Sequence, residues 1–149
     1  MYFRICILGF AFKANTNDTR ESSSITICKD LIDEGAILFI HDPQVSSAQI
    51  YSALEKKENY QIKEIKEQND FLKYEGQWCF EENIYNCSEG ADAIVVLTEW
   101  EEYSLIDWKD ISKRMRKPSW VFDSRSIISQ QEVIKANLNF WRIGDGTNI

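Results

Sequence analysis

The chain has 149 residues, of which 44% are hydrophobic and 13% aromatic, enough for one domain of ordinary size with a real core. Its formal net charge of −7 argues against a general binder of nucleic acid or of anionic membranes, because phosphate surfaces require basic ones. No segment approaches the roughly 20 apolar residues that span a bilayer. We therefore expect a soluble, cytoplasmic protein.

Strand-like and helix-like segments alternate along the chain. The predicted strands are short and apolar and cover residues 3–8, 36–41, 77–80, 93–97, 120–122 and 140–143. The predicted helices cover residues 21–34, 44–54, 82–89, 107–117 and 129–137. Such alternation implies a single α/β domain over 1–149, with a doubly wound, mostly parallel sheet flanked by helices. Residues 55–77 are strongly polar, and we expect a solvated excursion there.

The junction between the first strand and the first helix carries an unusual set of side chains. It contains one glycine, Gly9, and two cations, Lys13 and Arg20. Such junctions lie at the carboxyl edge of a parallel sheet, where α/β proteins bind ligands. The G-x-G-x-x-G fingerprint is absent, so we infer a nucleotide site built from these cations and loop backbone. An ordinary capped connection with two solvated cations is the alternative.

The start of the first helix has its own signal. Asp18 and Glu21 have the D-x-x-E spacing of a capping box, which predicts that Asp18 caps the helix. Its carboxylate would then occupy the amides that a phosphate could otherwise use. Similar signals predict that Asp107 and Ser129 cap two later helices.

A third cation, Arg125, directly follows a predicted strand. If the strands are parallel, it lies on the same sheet edge as Lys13 and Arg20. Three cations on one edge are suited to clamping a phosphate or a carboxylate. The alternative is a surface ion pair between Arg125 and Asp123 or Glu99.

Other polar residues favour structural interpretations. Asp42 ends a strand, where an acid can hold a ribose, but without the glycine fingerprint a turn with Pro43 is favoured. His41, the only histidine, is interpreted as structural. The four cysteines lack metal-site spacing, so we expect no metal site, and Cys6 and Cys28 are predicted to be buried free thiols.

Five short landmarks occur in a characteristic order along the chain. They are Gly9-Phe10-Ala11-Phe12-Lys13 with Asp18-Thr19-Arg20-Glu21-Ser22-Ser23, then Asp33-Glu34-Gly35-Ala36, Asp42-Pro43, Leu97-Thr98-Glu99-Trp100 and Phe122-Asp123-Ser124-Arg125. This series resembles the C-terminal, UDP-binding domain of the UDP/GDP-sugar dehydrogenase family, and most closely its UDP-glucose 6-dehydrogenase branch. The landmarks span almost the whole chain.

The resemblance implies roles for individual residues. Phe12, Lys13 and Arg125 match residues that contact the UDP-sugar, and Arg20 matches one that reaches NAD bound to a neighbouring domain. The implied activity of the whole enzyme is the two-step, NAD-dependent oxidation of UDP-glucose to UDP-glucuronate through a cysteine-bound intermediate. The same domain of a GDP-mannose or UDP-N-acetylhexosamine dehydrogenase, and a stand-alone nucleotide-binding module, stay open as alternatives.

Two parts of the family pattern are missing from this sequence: the N-terminal dinucleotide domain and the central segment with its catalytic cysteine. We therefore expect a separately expressed C-terminal domain, with no catalytic residue of its own and inactive in isolation. Its expected partners are UDP-glucose or UDP, the N-terminal and central domains of the enzyme and, in the full-length protein, further copies of itself.

Overall fold

The computed structural model of the protein describes residues 3–64 and 76–142. Six strands form one sheet, in which every neighbouring pair is parallel. The strands are β1 (Arg4–Leu8), β2 (Ile37–His41), β3 (Gln77–Phe80), β4 (Ala93–Val96), β5 (Trp120–Asp123) and β6 (Asn139–Arg142). Their spatial order is β3-β2-β1-β4-β5-β6, the doubly wound arrangement. The predicted fold class is thus confirmed.

In the part of the chain that the structure describes, five α-helices connect the strands. They are α1 (Ser23–Asp33), α2 (Ser47–Leu54), α3 (Ile84–Cys87), α4 (Trp108–Arg114) and α5 (Gln130–Lys135). Two 3-10 helices, Tyr60–Glu64 and Glu101–Leu105, lie in the connections after α2 and β4. Each predicted α-helix is present, and most are shorter than their apolar patterns suggested.

The direction in which successive strands are added to the sheet reverses between β1 and β4. The crossover through α1 moves from β1 to β2, whereas the crossover through α4 moves the opposite way, from β4 to β5. Because both parallel crossovers are right-handed, α1 and α4 lie on opposite faces of the sheet. The loops after β1 and β4 therefore diverge at the carboxyl edge and leave a crevice between them, where ligands bind in open α/β sheets.

The core lies on the central strands. All five residues of β2 are buried, and so are the last four residues of β1. Such near-continuous apolar runs are typical of parallel strands that are covered on both faces. Ile62, within the segment predicted as a polar excursion, is fully buried, while residues 65–75 of that segment lie outside the described residues.

Local capping signals mostly predicted the helix starts. Asp107 accepts hydrogen bonds from the first-turn amides of α4, and Ser129 caps α5 through the amide of Glu132. The prediction that Asp18 caps the first helix is wrong. Ser22 is the cap of α1, since its Oγ accepts from Ser24 N at 3.1 Å. Among the described residues, no helix is long and apolar enough to cross a membrane.

Candidate functional site

The loops after β1 and β4 are joined directly across the crevice. Gly9 has φ +102°, and a Cβ at this position would collide with the side chain of Thr98. Thr98 Oγ1 donates to the carbonyl of Ala11 at 2.9 Å, and Ala14 N donates to Glu99 Oε1 at 2.6 Å. A glycine is therefore required at position 9, because the two loops touch at the point where the sheet reverses direction.

The buried carboxylate of Asp42, at the end of β2, organises the first loop. It accepts five hydrogen bonds of between 2.8 and 3.1 Å. The donors are the backbone amides of Phe10, Ala11, Gln44 and Val45 and the indole Nε1 of Trp100. The predicted turn at Asp42 is confirmed, and the same side chain also ties the loops after β1 and β4 together.

Arg125 bridges the same two loops from a third direction. Its Nε donates to Leu97 O at 2.9 Å, and its Nη2 donates to Phe12 O at 3.2 Å. Its Nη1 lies 3.1 Å from Glu99 Oε2. The structure thus selects Glu99 as the ion-pair partner of the Arg125 side chain. The guanidinium is half-buried, with 31% of the side chain exposed.

A second buried acid fixes the backbone around Arg125. The carboxylate of Asp123 accepts hydrogen bonds of 2.9 to 3.0 Å from four successive amides, those of residues 125–128. Asp123 is completely buried and also contacts the guanidinium of Arg142 at 3.4 Å. The loop after β5 is therefore held rigidly, and the direction of the Arg125 side chain is set by its surroundings.

Phe12 and Lys13 lie in the loop after β1, next to the Arg125 side chain. Both are exposed, and Phe12 has 43% of its surface accessible. The hydrogen bond from Arg125 to the carbonyl of Phe12 places the guanidinium beside the start of the Lys13 residue. Within residues 3–64 and 76–142, the Lys13 ammonium makes no ion pair. Two cationic residues from distant parts of the chain are therefore brought together at the carboxyl edge of the sheet.

Arg20 is in a different environment from the other two cations. Its guanidinium pairs with Asp18, with Nη2 to Oδ2 at 2.9 Å and Nε to Oδ1 at 3.1 Å. These hydrogen bonds lower the pKa of Asp18 to about 2. The Arg20 side chain is 86% exposed, so it projects from the loop toward solvent. No described hydrogen bond or ion pair connects it to Lys13 or Arg125.

His41 lies beneath the crevice at the end of β2. It is buried, and its Nδ1 is 2.9 Å from the hydroxyl of Tyr103. Burial lowers the pKa of His41 to about 4, against a smaller opposing effect of Asp42. The imidazole is therefore neutral at physiological pH and supports the 3-10 helix Glu101–Leu105 from below, as expected for a structural histidine.

The residues that sequence reasoning underestimated are acids. Glu99 was considered as an alternative partner of Arg125, and Asp42 as a turn former in preference to a ribose-binding acid. Each in fact connects two loops, Glu99 through Ala14 and Arg125, and Asp42 through the loop amides. Their position was the available signal, since each closely follows a strand beside the reversal point, where buried amides need acceptors.

The sheet order defines a Rossmann-like α/β domain, and the carboxyl edge at the point where the strand order reverses is its candidate ligand site. The UDP binding domain of the UDP-glucose/GDP-mannose dehydrogenase family matches residues 6–130. This match covers more than half of the chain, and the chain belongs to that family.

Individual relatives agree with this assignment. A UDP-glucose 6-dehydrogenase of Drosophila melanogaster is 37% identical over 141 residues, which are 95% of this chain and 28% of that protein. A UDP-glucose 6-dehydrogenase of Gallus gallus is 41% identical over 125 residues, 84% of this chain and 24% of that protein. The chain thus spans about a quarter of the length of these curated relatives.

A solved structure shares the fold. The NDP-N-acetyl-D-galactosaminuronic acid dehydrogenase from Methanosarcina mazei Go1 superposes with a TM-score of 0.69 at 22% identity. The superposition covers 95% of this chain and 24% of that protein. At this identity the likeness establishes the architecture alone.

Proposed function

We propose that this chain is the domain of an NAD-dependent UDP-glucose 6-dehydrogenase that holds the UDP portion of the substrate, with Phe12, Lys13 and Arg125 as the binding residues. The observation that carries the proposal is the hydrogen bond from Arg125 Nη2 to Phe12 O. It joins residues 113 positions apart and brings two cations to the crevice at the reversal point of the sheet. A diphosphate is the anion that such a pair suits.

The donor inventory of Arg125 leaves room for a ligand. A guanidinium has five N–H donors. Nε and Nη2 donate to Leu97 O and Phe12 O, and Nη1 lies beside the carboxylate of Glu99. One N–H on each terminal nitrogen remains for an anion. The protein thus holds the guanidinium in place before binding, which lowers the entropic cost of binding.

This chain is poorly suited to form a complete binding site for NAD. In dinucleotide folds the pyrophosphate lies at the N-terminus of the first helix, and an acid after the second strand holds the ribose. Here Ser22 Oγ caps α1, and the carboxylate of Asp42 is already engaged by five donors. Exposed Arg20 is the residue suited to reach NAD held elsewhere. We therefore propose that NAD, which accepts the hydrides when bound, is held mainly by another domain.

The identity of the sugar nucleotide is supported by the relatives. The Drosophila and Gallus proteins at 37% and 41% identity are named for UDP-glucose. We therefore favour oxidation of UDP-glucose to UDP-glucuronate in the cytoplasm as the activity of the whole enzyme. The Methanosarcina protein, named for an N-acetylated uronic acid, keeps the alternative sugars open to test.

An aromatic surface on β5 and β6 supports the proposal of partner domains. Along β5 the buried Val121 alternates with Trp120 and Phe122, whose rings stack at 5.7 Å between centroids. Phe122 in turn contacts Trp141 at 6.1 Å. Trp120 and Trp141 are 39% and 42% exposed, although all-parallel sheets are normally covered on both faces. We propose that the N-terminal and central domains of a full-length, homo-oligomeric enzyme cover this aromatic surface.

The proposed domain contact can be tested by comparing the isolated chain with the full-length enzyme. Trp141→Ser should destabilise the isolated chain only by the loss of its contact with Phe122, because 42% of Trp141 is exposed there. In the full-length enzyme the same change should lower the unfolding temperature, because it removes apolar contact area. Equal effects in both proteins would contradict a domain contact, and a change in the sedimentation of the isolated chain would indicate self-association instead.

The binding site is tested by calorimetric titration of the chain with UDP, UDP-glucose, GDP and NAD. A hydrogen bond to a charged group contributes about 1.5–3 kcal/mol, so Lys13→Ala and Arg125→Ala should each weaken UDP binding roughly ten- to a hundredfold. Lys135→Ala is the matched control, because Lys135 lies in the last turn of α5, on the opposite edge of the sheet. If both crevice variants bind UDP like the control, the assignment of the binding residues fails.

A further inference from the structure

Two cysteines that have no part in the nucleotide crevice lie side by side in the core. Cys6 is the central residue of β1, and Cys87 is the last residue of α3. Their sulfur atoms are 2.8 Å apart, and both residues are completely buried. The helix α3 packs on β1 and β2, so this contact belongs to the centre of the fold.

The other two cysteines have no comparable neighbour. All four cysteines fall within the described residues and are free thiols. Cys28 lies on α1 and Cys79 lies on β3, where its thiol donates to Phe80 O at 3.4 Å. No contact between sulfur atoms other than that of Cys6 and Cys87 is present in the described part of the chain. The arrangement thus singles out one pair among four buried thiols.

We propose that Cys6 and Cys87 are a modification site: they form an intramolecular disulfide when the protein meets a peroxide. One sulfur attacks the peroxide, the O–O bond breaks, and a sulfenic acid and one water form. The second thiol attacks the sulfenic sulfur, an S–S bond forms, the S–O bond breaks, and a second water leaves. Together the two thiols lose two protons and two electrons, and hydrogen peroxide is reduced to two waters.

The geometry requires little movement. A disulfide bond is about 2.05 Å long, so the two sulfurs must approach by roughly 0.8 Å. Cys87 Sγ also donates to the carbonyl of Phe39 at 3.1 Å, and this hydrogen bond is given up when the proton leaves. No backbone segment stands between the two sulfurs, because they are already in contact.

The environment determines how quickly the pair reacts. Burial raises the pKa of Cys87, and the hydrogen bond with Cys6 raises it further. Among the neighbouring charges, Glu81 acts in the same direction and Arg4 opposes it. The thiolate is the reactive form, so oxidation of the folded protein should be slow at neutral pH and faster in alkaline solution.

The disulfide would join β1 to α3 and close a loop between positions 81 apart. Cross-links of this length stabilise by restricting the unfolded chain. The oxidised protein should therefore unfold at a higher temperature than the reduced protein. Neither sulfur contacts Lys13 or Arg125, so the affinity for UDP should not change. This inference is thus independent of the proposed function, and either can fail without the other.

The test is peroxide treatment of the folded chain at pH 7 and at pH 9, followed by non-reducing peptide mapping and mass measurement. The expected product is one cross-linked peptide pair containing Cys6 and Cys87, with a mass loss of about 2 Da for two hydrogen atoms. The product should form faster at pH 9 and disappear on reduction.

Variants identify the sulfurs involved. Cys87→Ser should abolish the cross-link, whereas Cys28→Ser, the matched control at another fully buried thiol, should leave it intact. Circular dichroism confirms that each variant is folded. Peptide mapping of the parent chain identifies the cross-linked cysteines even if one variant does not fold. A cross-link to Cys28 or Cys79, sulfinic acid as the main product, or no cross-link while the urea-unfolded chain is fully oxidised would overturn the proposal.

Discussion

Glu99 and Arg125 form an ion pair across the crevice, with Arg125 Nη1 3.1 Å from Glu99 Oε2. The other carboxylate oxygen of Glu99 accepts from the amide of Ala14 at 2.6 Å. One side chain thus positions both Arg125 and the loop that carries Lys13. In the proposed site Glu99 is therefore a supporting residue, even though it would repel an anionic ligand.

Removal of Glu99 should weaken nucleotide binding through this support. Glu99→Ala frees the Ala14 amide and the Arg125 guanidinium together, and we expect UDP affinity to fall three- to tenfold, about 0.7–1.4 kcal/mol. Glu99→Gln retains an acceptor for the amide of Ala14. Its UDP affinity in calorimetric titration should therefore lie between those of Glu99→Ala and the parent. An unchanged or tighter affinity in Glu99→Ala would mean that repulsion of the anion outweighs the support.

Asp42 should matter chiefly for stability. Asp42→Asn replaces one acceptor oxygen by an amide group that faces buried N–H donors, and we expect a loss of roughly 2–4 kcal/mol in the free energy of unfolding. Urea denaturation measures the change. Asp110→Asn is the control, because Asp110 forms a surface ion pair with Arg114 four residues along α4 and should matter little. Equal losses in the two variants would refute the special role of Asp42.

His41 should make the protein sensitive to acid. Burial lowers the pKa of His41 from 6.5 to about 4, so between these values the unfolded chain binds a proton that the folded chain does not. Stability associated with the neutral imidazole is complete above pH 6.5 and is lost as the pH falls toward 4. The total loss is roughly 3 kcal/mol for a shift of this size.

Urea denaturation between pH 7 and pH 4.5 tests this effect. His41→Gln keeps a polar group near Tyr103 but cannot titrate, so its stability should decline less with acid than that of the parent. Carboxylates titrate in the same range and contribute equally to both proteins, which is why the difference between the two curves is the informative quantity. Parallel curves would exclude His41 as the cause.

Arg20 should affect NAD rather than the sugar nucleotide. Its side chain is solvated and pairs only with Asp18 among the described residues, so Arg20→Ala should leave the urea midpoint of the isolated chain unchanged. In the full-length enzyme we expect the Michaelis constant for NAD to rise more than that for UDP-glucose. The measurement is steady-state kinetics of Arg20→Ala and Lys13→Ala in the full-length enzyme. Lys13→Ala should show the opposite pattern. Equal changes in both constants would contradict the separate role of Arg20.

The sequence alone was sufficient for the fold class and for most helix starts. Short apolar runs alternating with helical segments predict a parallel sheet, because each such strand needs cover on both faces. Caps at Asp107 and Ser129 were predictable since each is completed within three residues. The same reasoning was wrong for Asp18, whose carboxylate pairs with Arg20 while Ser22 takes the cap. Asp18 had two possible local partners, the first amides of α1 and the side chain of Arg20, and residue spacing cannot show which of them it binds.

The tertiary structure alone decided how the site is assembled. The sequence placed Lys13 and Arg125 on one sheet edge, but it left open whether Arg125 pairs with Asp123 or Glu99. The answer depends on two contacts of Arg125, one with Leu97, 28 positions away, and one with Phe12, 113 positions away. The contact between Cys6 and Cys87 likewise joins positions 81 apart. Such contacts exist only after the sheet has ordered its strands, because no local pattern specifies which side chains meet across separate crossovers.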